Sequence, residues 1–575
     1  MKGSILALCL LATTPLYAQS DGIQSGDVPA ATPSVVVQPA SAQPDDVVTR
    51  AMKDEIARSM KLLQLPSMER PYYIEYKIVD QQSVIAHARL GSLTSSEQTH
   101  TRQLTVTVRV GSYEYDNSNN SGAGIGKLIS LLTSMASSSN SLPLDDNYDE
   151  LRRNIWIATD SAYKQALQDL SAKKAGDAGK DLSKRTPDFS QEPAHLESET
   201  LPLVDEDLAS AEHLVRASSA VLSTDPSIRN TTAVFEIDNV TEHLVNSEGT
   251  SYVRQMPEIY LHLTATLRGK NDESYTDVYS AHARTLSDLP SEAEILASAK
   301  QLGARLVARE KAKPFKHYSG PVLVEGKAAD EIFAHNFANN FPIRPHSGLK
   351  LNTSVLPEFL SVVDNPLLTQ SDGQPLFGSY KFDEEGVPAQ ETLLVDAGIE
   401  KTLLNSRQPA RNIPHSSGNM RKQGVLPSNV IVKASKSSTN ADMRAQMLEI
   451  VKTRGLEYGL IIRRLSGKSA IEAVYLYPDG HEEAVRDAQI ADINLKTFKS
   501  IVAVSKDRSV YTEHAKEPDS SLDFLSLLGL PSLSGLSSAT DADLVSYVVP
   551  DLLFEKMAVD HNSENAPEKT TIPRP

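Results

Sequence analysis

Tyr318-Ser319-Gly320-Pro321-Val322-Leu323-Val324, followed by Ala328 to Asn340, decides the fold of the second half of this 575-residue chain. Gly320-Pro321 reads as a turn, the apolar β-branched run after it as a strand, and Ala328 to Asn340 as a helix. Short β-like segments separated by Gly, Asn and Pro follow: Gly378 to Phe382, Gln390 to Val395, Val430 to Val432, Tyr458 to Ile462, Ala473 to Tyr477 and Ser500 to Val504. Together they predict a β-rich domain with one buried helix over 317–558. The polar, proline-containing tail 559–575 reads as frayed.

Upstream, a second helix-and-sheet domain is predicted over 47–310. Met52, Ile56, Met60 and Leu63 recur at helical spacing, and Pro66 ends the helix. Tyr72 to Val79, Ser83 to Leu90 and the alternating Gln103 to Gly111 read as strands, as do Val234 to Val245 and Glu258 to Leu267. Leu151 to Leu170, where Trp156 is expected to pack, and Glu292 to Glu310 read as helices. Asn117 to Ser141 reads as a Ser/Asn-rich inserted loop, Ala172 to Glu199 as a charged linker, and Asp519 to Ala539 as a loop or helical hairpin. The fold class is α+β.

Lys2, the apolar run Ile5 to Ala12 and Ala18 before Gln19 have the layout of a signal peptide over 1–18. The run is too short for a spanning anchor helix, and Leu8 before Cys9 argues against a lipid anchor. Residues 19–46, rich in Pro, Ala, Val, Gln and Ser, read as a flexible leader. The expectation is an exported, periplasmic or secreted protein with no transmembrane segment after cleavage.

With 57 Lys+Arg against 74 Asp+Glu, the net charge is −17, which lacks the electrostatic footprint of a nucleic-acid binder. One Cys excludes a disulfide framework or a Cys-rich zinc site. None of the 14 histidines heads a His-Glu-x-x-His motif, and His481-Glu482-Glu483 follows the turn Tyr477-Pro478-Asp479-Gly480, so a solvated hairpin tip is expected there. Glu331 and His335 share a helix face at a spacing of four, a weak metal half-site. No nucleophile elbow or phosphate loop is present, and Glu384-Glu385 reads as a hairpin turn rather than a glycosidase pair.

An ordered set of segments resembles the TldD/PmbA family of zinc peptidases, also called modulators of DNA gyrase. The set comprises Tyr318 to Leu323 with Ala328-Ala329, and Asp383-Glu384-Glu385-Gly386-Val387-Pro388 with Leu394 and Gly398. It continues with Ser417-Gly418-Asn419-Met420-Arg421, Pro427-Ser428-Asn429, Tyr475-Leu476 with Gly480 and Val485-Arg486, and Pro550 to Leu553. Upstream, Gly111 fits more loosely. The resemblance implies a helix bearing His-Glu-x-x-x-His and a downstream Cys that completes a zinc shell. Gap-free alignment sets Ala334 and Asn339 at the histidines, His335 at the glutamate and Ile471 near the cysteine. Ala and Ile donate no lone pair, so the inherited site is degenerate and neither a catalytic residue nor a metal ligand is assigned.

The resemblance further implies a homodimer, or a heterodimer with a metal-bearing paralogue. The leading expectation is an exported metallopeptidase homologue without its own activity, a structural or peptide-holding subunit of a proteolytic complex. Two alternatives stand beside it: an active peptidase with a site rebuilt from Glu331, His335 and His346 or His415, and an envelope module binding peptides or glycans. Asn419 and Arg421 are candidate substrate contacts, against the plainer readings of turn cap and structural ion pair. Gly386, Gly398, Gly418 and Gly480 are expected at turns with positive φ.

Overall fold

The computed structural model describes residues 46–562 except 119–140, 184, 206, 223–224, 270–272, 344–349, 411, 423, 492 and 516–542. The signal-peptide and leader readings, most of the Asn117 to Ser141 insertion, the Leu/Ser-rich 519–539 stretch and the tail beyond 562 therefore lie outside the described residues. Those described fall in one compact unit built on two large sheets, with two further two-stranded ones.

The first half carries helices α1 (Val47–Leu62), α2 (Tyr148–Gly176), α3 (Leu208–Leu222) and α4 (Glu292–Lys311). Its sheet is made by β1 (Pro71–Arg89), β2 (Ser92–Val110), β3 (Ile228–Asn246), β4 (Ser251–Arg268) and β5 (Ser274–Ala283). The order is β2-β1-β3-β4, with β5 and the short Glu199–Thr200 strand both on the far edge of β4. Period-two alternation gives this sheet two different faces. Ile74, Tyr76 and Ile78 of β1 pack under α1 and α2, and Val84, Ala86 and Ala88 of the same strand pack under α3 and α4. One 19-residue strand thus supports two side-by-side cores on one face. The residues between them (Tyr73, Glu75, Lys77, Val79 and Gln81) point to the other face, toward the second half.

The second half holds β6 (Tyr318–Val324), helix α5 (Lys327–Asn336), β7 (Leu360–Asp364), β8 (Thr392–Asp396), β9 (Asn429–Ala434) and helix α6 (Asn440–Thr453). Strands β10 (Gly459–Ser466), β11 (Ser469–Leu476), β12 (Glu482–Arg486), β13 (Ile501–Ala515) and β14 (Asp543–His561) complete it. β14 is the spine: β13 lies along one edge, and β9, parallel, then β6, antiparallel, share the other. Val322 and Val324 face the core of α5, whose Ala328, Ala329, Ile332, Phe333 and Ala334 are fully buried. Leu323 faces the opposite way onto Met443 and Met447 of α6. The sheet is therefore sandwiched between two helices, and only the first is evident from the hydrophobic pattern. No helix among the described residues is long and apolar enough to cross a membrane.

Several expectations need correction. Tyr72 to Val79 and Ser83 to Leu90 form one strand, because the polar Asp80 to Gln82 stay in register with β2 and β3 instead of turning. The turn comes at Leu90-Gly91, both at positive φ (51° and 81°), as a two-residue hairpin requires. Trp156 is 48% exposed, not core: it lies beside Ile155, which takes the buried position, and packs against the Arg58 guanidinium 5.6 Å away. The 172–199 stretch is not a loose linker. Lys173 and Asp188 are buried and paired at 2.6 Å, and Phe189 is buried under the Arg407 guanidinium. Gly378 to Phe382 forms no strand; Gly378 packs so closely on the Ser428 backbone that a Cβ would overlap it. Helices α3 and α6 and strands β5 and β7 are additions to the sequence reading.

Candidate functional site

The α5 positions come first. Ala334 is fully buried among the aromatic residues of the α5 core, so its methyl group faces apolar side chains. His335 points outward, and its Nε2 lies 2.7 Å from Oε2 of Glu513 on β13, a bond that raises the imidazole above its ordinary value. Tyr511 donates its hydroxyl to the same carboxylate oxygen at 3.0 Å. Asn339 spends its amide donating to the His335 carbonyl at 3.2 Å. Burial pushes Glu331 up to about 7, with His335 pulling the other way. Next to it Asp330, fully buried, accepts from the Val549 amide and the Ser509 hydroxyl, and burial raises its carboxyl well above the usual range. Of the other rebuilt-site candidates, His415 is exposed and 3.7 Å from Glu192, in a different neighbourhood, and His346 lies outside the described residues. Glu331 and His335 do come together, but with Glu513 rather than with a second imidazole.

Asn419 and Arg421 are both anchored by neighbouring groups. Asn419 is fully buried, and its amide donates to Asp364 Oδ2 at 2.8 Å, tying β7 to the loop before β9. Arg421 sits 3.4 Å from Asp543, donates to the carbonyls of Pro427 and Leu544, and covers the Tyr380 ring at 4.6 Å.

The polar face of the first sheet meets the second half along a charged seam. The Asp383-Glu384-Glu385-Gly386 hairpin inserts here. Asp383 accepts from the amides of Glu385, Val387 and Met420, and burial raises it to about 8. Glu384 meets Lys77 at 2.5 Å and also bonds Arg254. Burial alone would push Glu384 up, but Arg254 and Lys77 hold it well below the carboxylate range. This carboxylate is fully engaged, which removes it as a glycosidase acid. Gly386 takes φ +71°, and a Cβ there would lie 2.6 Å from Thr250 Cγ2, so glycine is required. Beside the hairpin runs a groove of about 570 Å³ lined by Tyr73, Glu75, Lys77, Thr105, Arg109 and Arg421 among others.

The seam also holds a cluster that spacing could not announce. Glu258 of β4, His282 of β5 and His514 of β13 bring one ligand-type atom each within 4.8 Å of one another. His514 Nε2 contacts Glu258 Oε1 at 2.6 Å. Two come from the first half and one from the second, so only the folded seam assembles them.

The profile of the PmbA/TldA metallopeptidase C-terminal domain matches residues 318–561, which runs from β6 to the end of β14. Residues 318–561 belong to the TldD/PmbA family. A metalloprotease of Archaeoglobus fulgidus is 34% identical over 102 residues, 17% of this chain and 23% of that protein. One from Methanocaldococcus jannaschii is 31% identical over 167 residues, 28% of this chain and 36% of its own length. The chain thus spans about a quarter to a third of the curated relatives it matches. Two solved structures are similar in fold. A proposed modulator of a DNA gyrase from Thermotoga maritima gives a TM-score of 0.56 at 15% identity, covering 89% of this chain and 99% of that one. TldE from Thermococcus kodakarensis gives 0.54 at 13%, covering 88% and 99%. This chain therefore shares its α+β architecture with them well beyond the matched domain. At the positions the resemblance sets for zinc, Ala334 and Ile471 carry no donor atom, and the Asn339 amide nitrogen donates to the His335 carbonyl.

Proposed function

We propose that this chain is an exported, non-catalytic TldD/PmbA subunit that holds an extended peptide in the groove between its sheets and works beside a metal-bearing partner. The observation that carries the reading is the chemistry of α5. Ala334 is committed to the core, and the nearest imidazole, His335, is committed to Glu513. A peptidase zinc needs two or three imidazole or thiolate donors and an open position. The groove supports the peptide-holding half of the reading: it is lined by alternate residues of β1 and β2 and presents aromatic and charged side chains. Export rests on the basic start, apolar run and Ala18 of the first eighteen residues.

Co-expression with a metal-bearing TldD/PmbA homologue tests it. The expected result is a stable complex whose chelator-sensitive peptide hydrolysis survives Glu331→Gln and His335→Gln in this chain, on a mature chain beginning at Gln19. Loss of hydrolysis with His335→Gln here, or failure of the two chains to associate, overturns the reading.

A further inference from the structure

We propose that Glu258, His282 and His514 form a divalent-metal site at the seam between the two sheets, with a donor set suited to zinc. This goes beyond the functional reading above and does not depend on it.

Among the described residues these three are the set of His, Cys, Asp or Glu side chains whose ligand atoms lie within 4.8 Å of one another. Two imidazoles and one carboxylate are a borderline-soft donor set, which favours zinc over calcium or magnesium, whose ligands are all oxygen. A tetrahedral zinc with bonds of about 2.0–2.1 Å spaces its ligand atoms about 3.3 Å apart. Side-chain shifts of about 1.5 Å bring the widest pair to that spacing, and the His514–Glu258 contact need only open slightly.

The second observation is at His282. Its Nδ1 is buried and has no hydrogen-bond partner. A buried polar atom left unpaired costs about 1–3 kcal/mol, so native structures rarely keep one without a use. A metal bond through this nitrogen would satisfy it. The rings are held by packing: Tyr260 stacks on His282 at 5.0 Å and meets His514 edge-on at 4.8 Å.

Other cations are close but occupied. Arg284 donates to the carbonyls of Pro257 and Phe377 at 3.0 Å each, so it does not fill the Glu258 carboxylate. Its charge opposes the ion and sets a limit on affinity.

The site is also distinct from α5. Along β13 successive side chains alternate, so Glu513 faces His335 of α5 while His514 faces the first sheet. A metal held by His514 would clasp β13 to β4 and β5, with a fourth position left for water or a ligand atom.

Zinc titration of the full mature chain against a chromophoric chelator, with cobalt absorption in parallel, tests the assignment. Expected are one zinc per chain, affinity roughly a hundredfold or more weaker in His282→Phe, and unchanged affinity in His335→Gln. His282→Phe keeps an aromatic ring beside Tyr260 and Phe377, and its zinc-free melting temperature checks that it folds. Cobalt bound to the wild type should give the visible bands of a low-coordinate histidine site, a readout that needs no variant. Absence of zinc binding and cobalt bands, equal affinity in His282→Phe, or loss through His335→Gln instead, overturns the proposal.

Discussion

At Glu331, burial raises the carboxyl from 4.5 to about 7, and the consequence for stability has a definite sign. Below about pH 4.5 both native and unfolded chains hold this proton. As pH rises toward 7 the unfolded chain releases it while the native chain keeps it, so the native state binds more protons and stability falls. His335, raised chiefly by its bond to Glu513, acts in the same direction at higher pH. Glu331→Gln removes the first contribution, so denaturant midpoints measured from pH 5 to pH 7.5 should decline less steeply than in the wild type. An unchanged slope would show that Glu331 is not buried as described. At this scale the sequence is informative where the chemistry is local. The Glu331/His335 pair follows from helical spacing, and the positive φ of Gly386, Gly398, Gly418 and Gly480 (71°, 76°, 73° and 88°) follows from turn composition. Glu513, 178 residues from the His335 it binds, follows from neither.

Elements were legible in proportion to how clean their pattern is. The α4 helix is bounded as expected, with a capping box formed by Ser291 and Glu294 at its start. The predicted strand ending at Val324 and the buried helix after it are in place, because both sit inside one core and read as apolar on that side, but the strand starts at Tyr318 and takes in Gly320-Pro321, which read as a turn. The charged 172–199 segment misleads because its charges neutralise one another inside the fold. Lys173 Nζ meets Asp188 at 2.6 Å and donates to the Asp116 carbonyl at 2.8 Å, both partners being buried. Lys174, one residue on, meets Glu69 at the surface with half its side chain in water. The two lysines therefore make a matched experiment. Lys173→Met takes the lysine from a buried carboxylate that Arg185 and the Asp116 amide also bond, and should cost about 3 kcal/mol. Lys174→Met should cost no more than about 1 kcal/mol. Equal losses in urea unfolding would contradict the packed reading of this segment.

For the whole molecule, the organising feature is a sheet with one apolar and one polar face. The apolar face carries helices and could be anticipated from alternation. The polar face reads in sequence as ordinary solvent-exposed residues, yet it is buried against the second half. Lys77 and Glu384, 307 residues apart, meet there, and Arg254 joins them. Only tertiary structure distinguishes a polar face that meets water from one that meets charges of opposite sign. The same seam brings together a cleft and a histidine cluster, while the α5 helix, where the resemblance sets zinc ligands, presents a methyl group and an occupied imidazole. The central claim is thus that the family scaffold is present without working peptidase chemistry at α5. It is tested most directly by incubating the purified mature chain alone with an unstructured peptide mixture and added zinc, with and without chelator, for the wild type and His335→Gln. The account predicts no chelator-sensitive hydrolysis by either protein. Hydrolysis by the wild type that chelation stops and His335→Gln abolishes would contradict it.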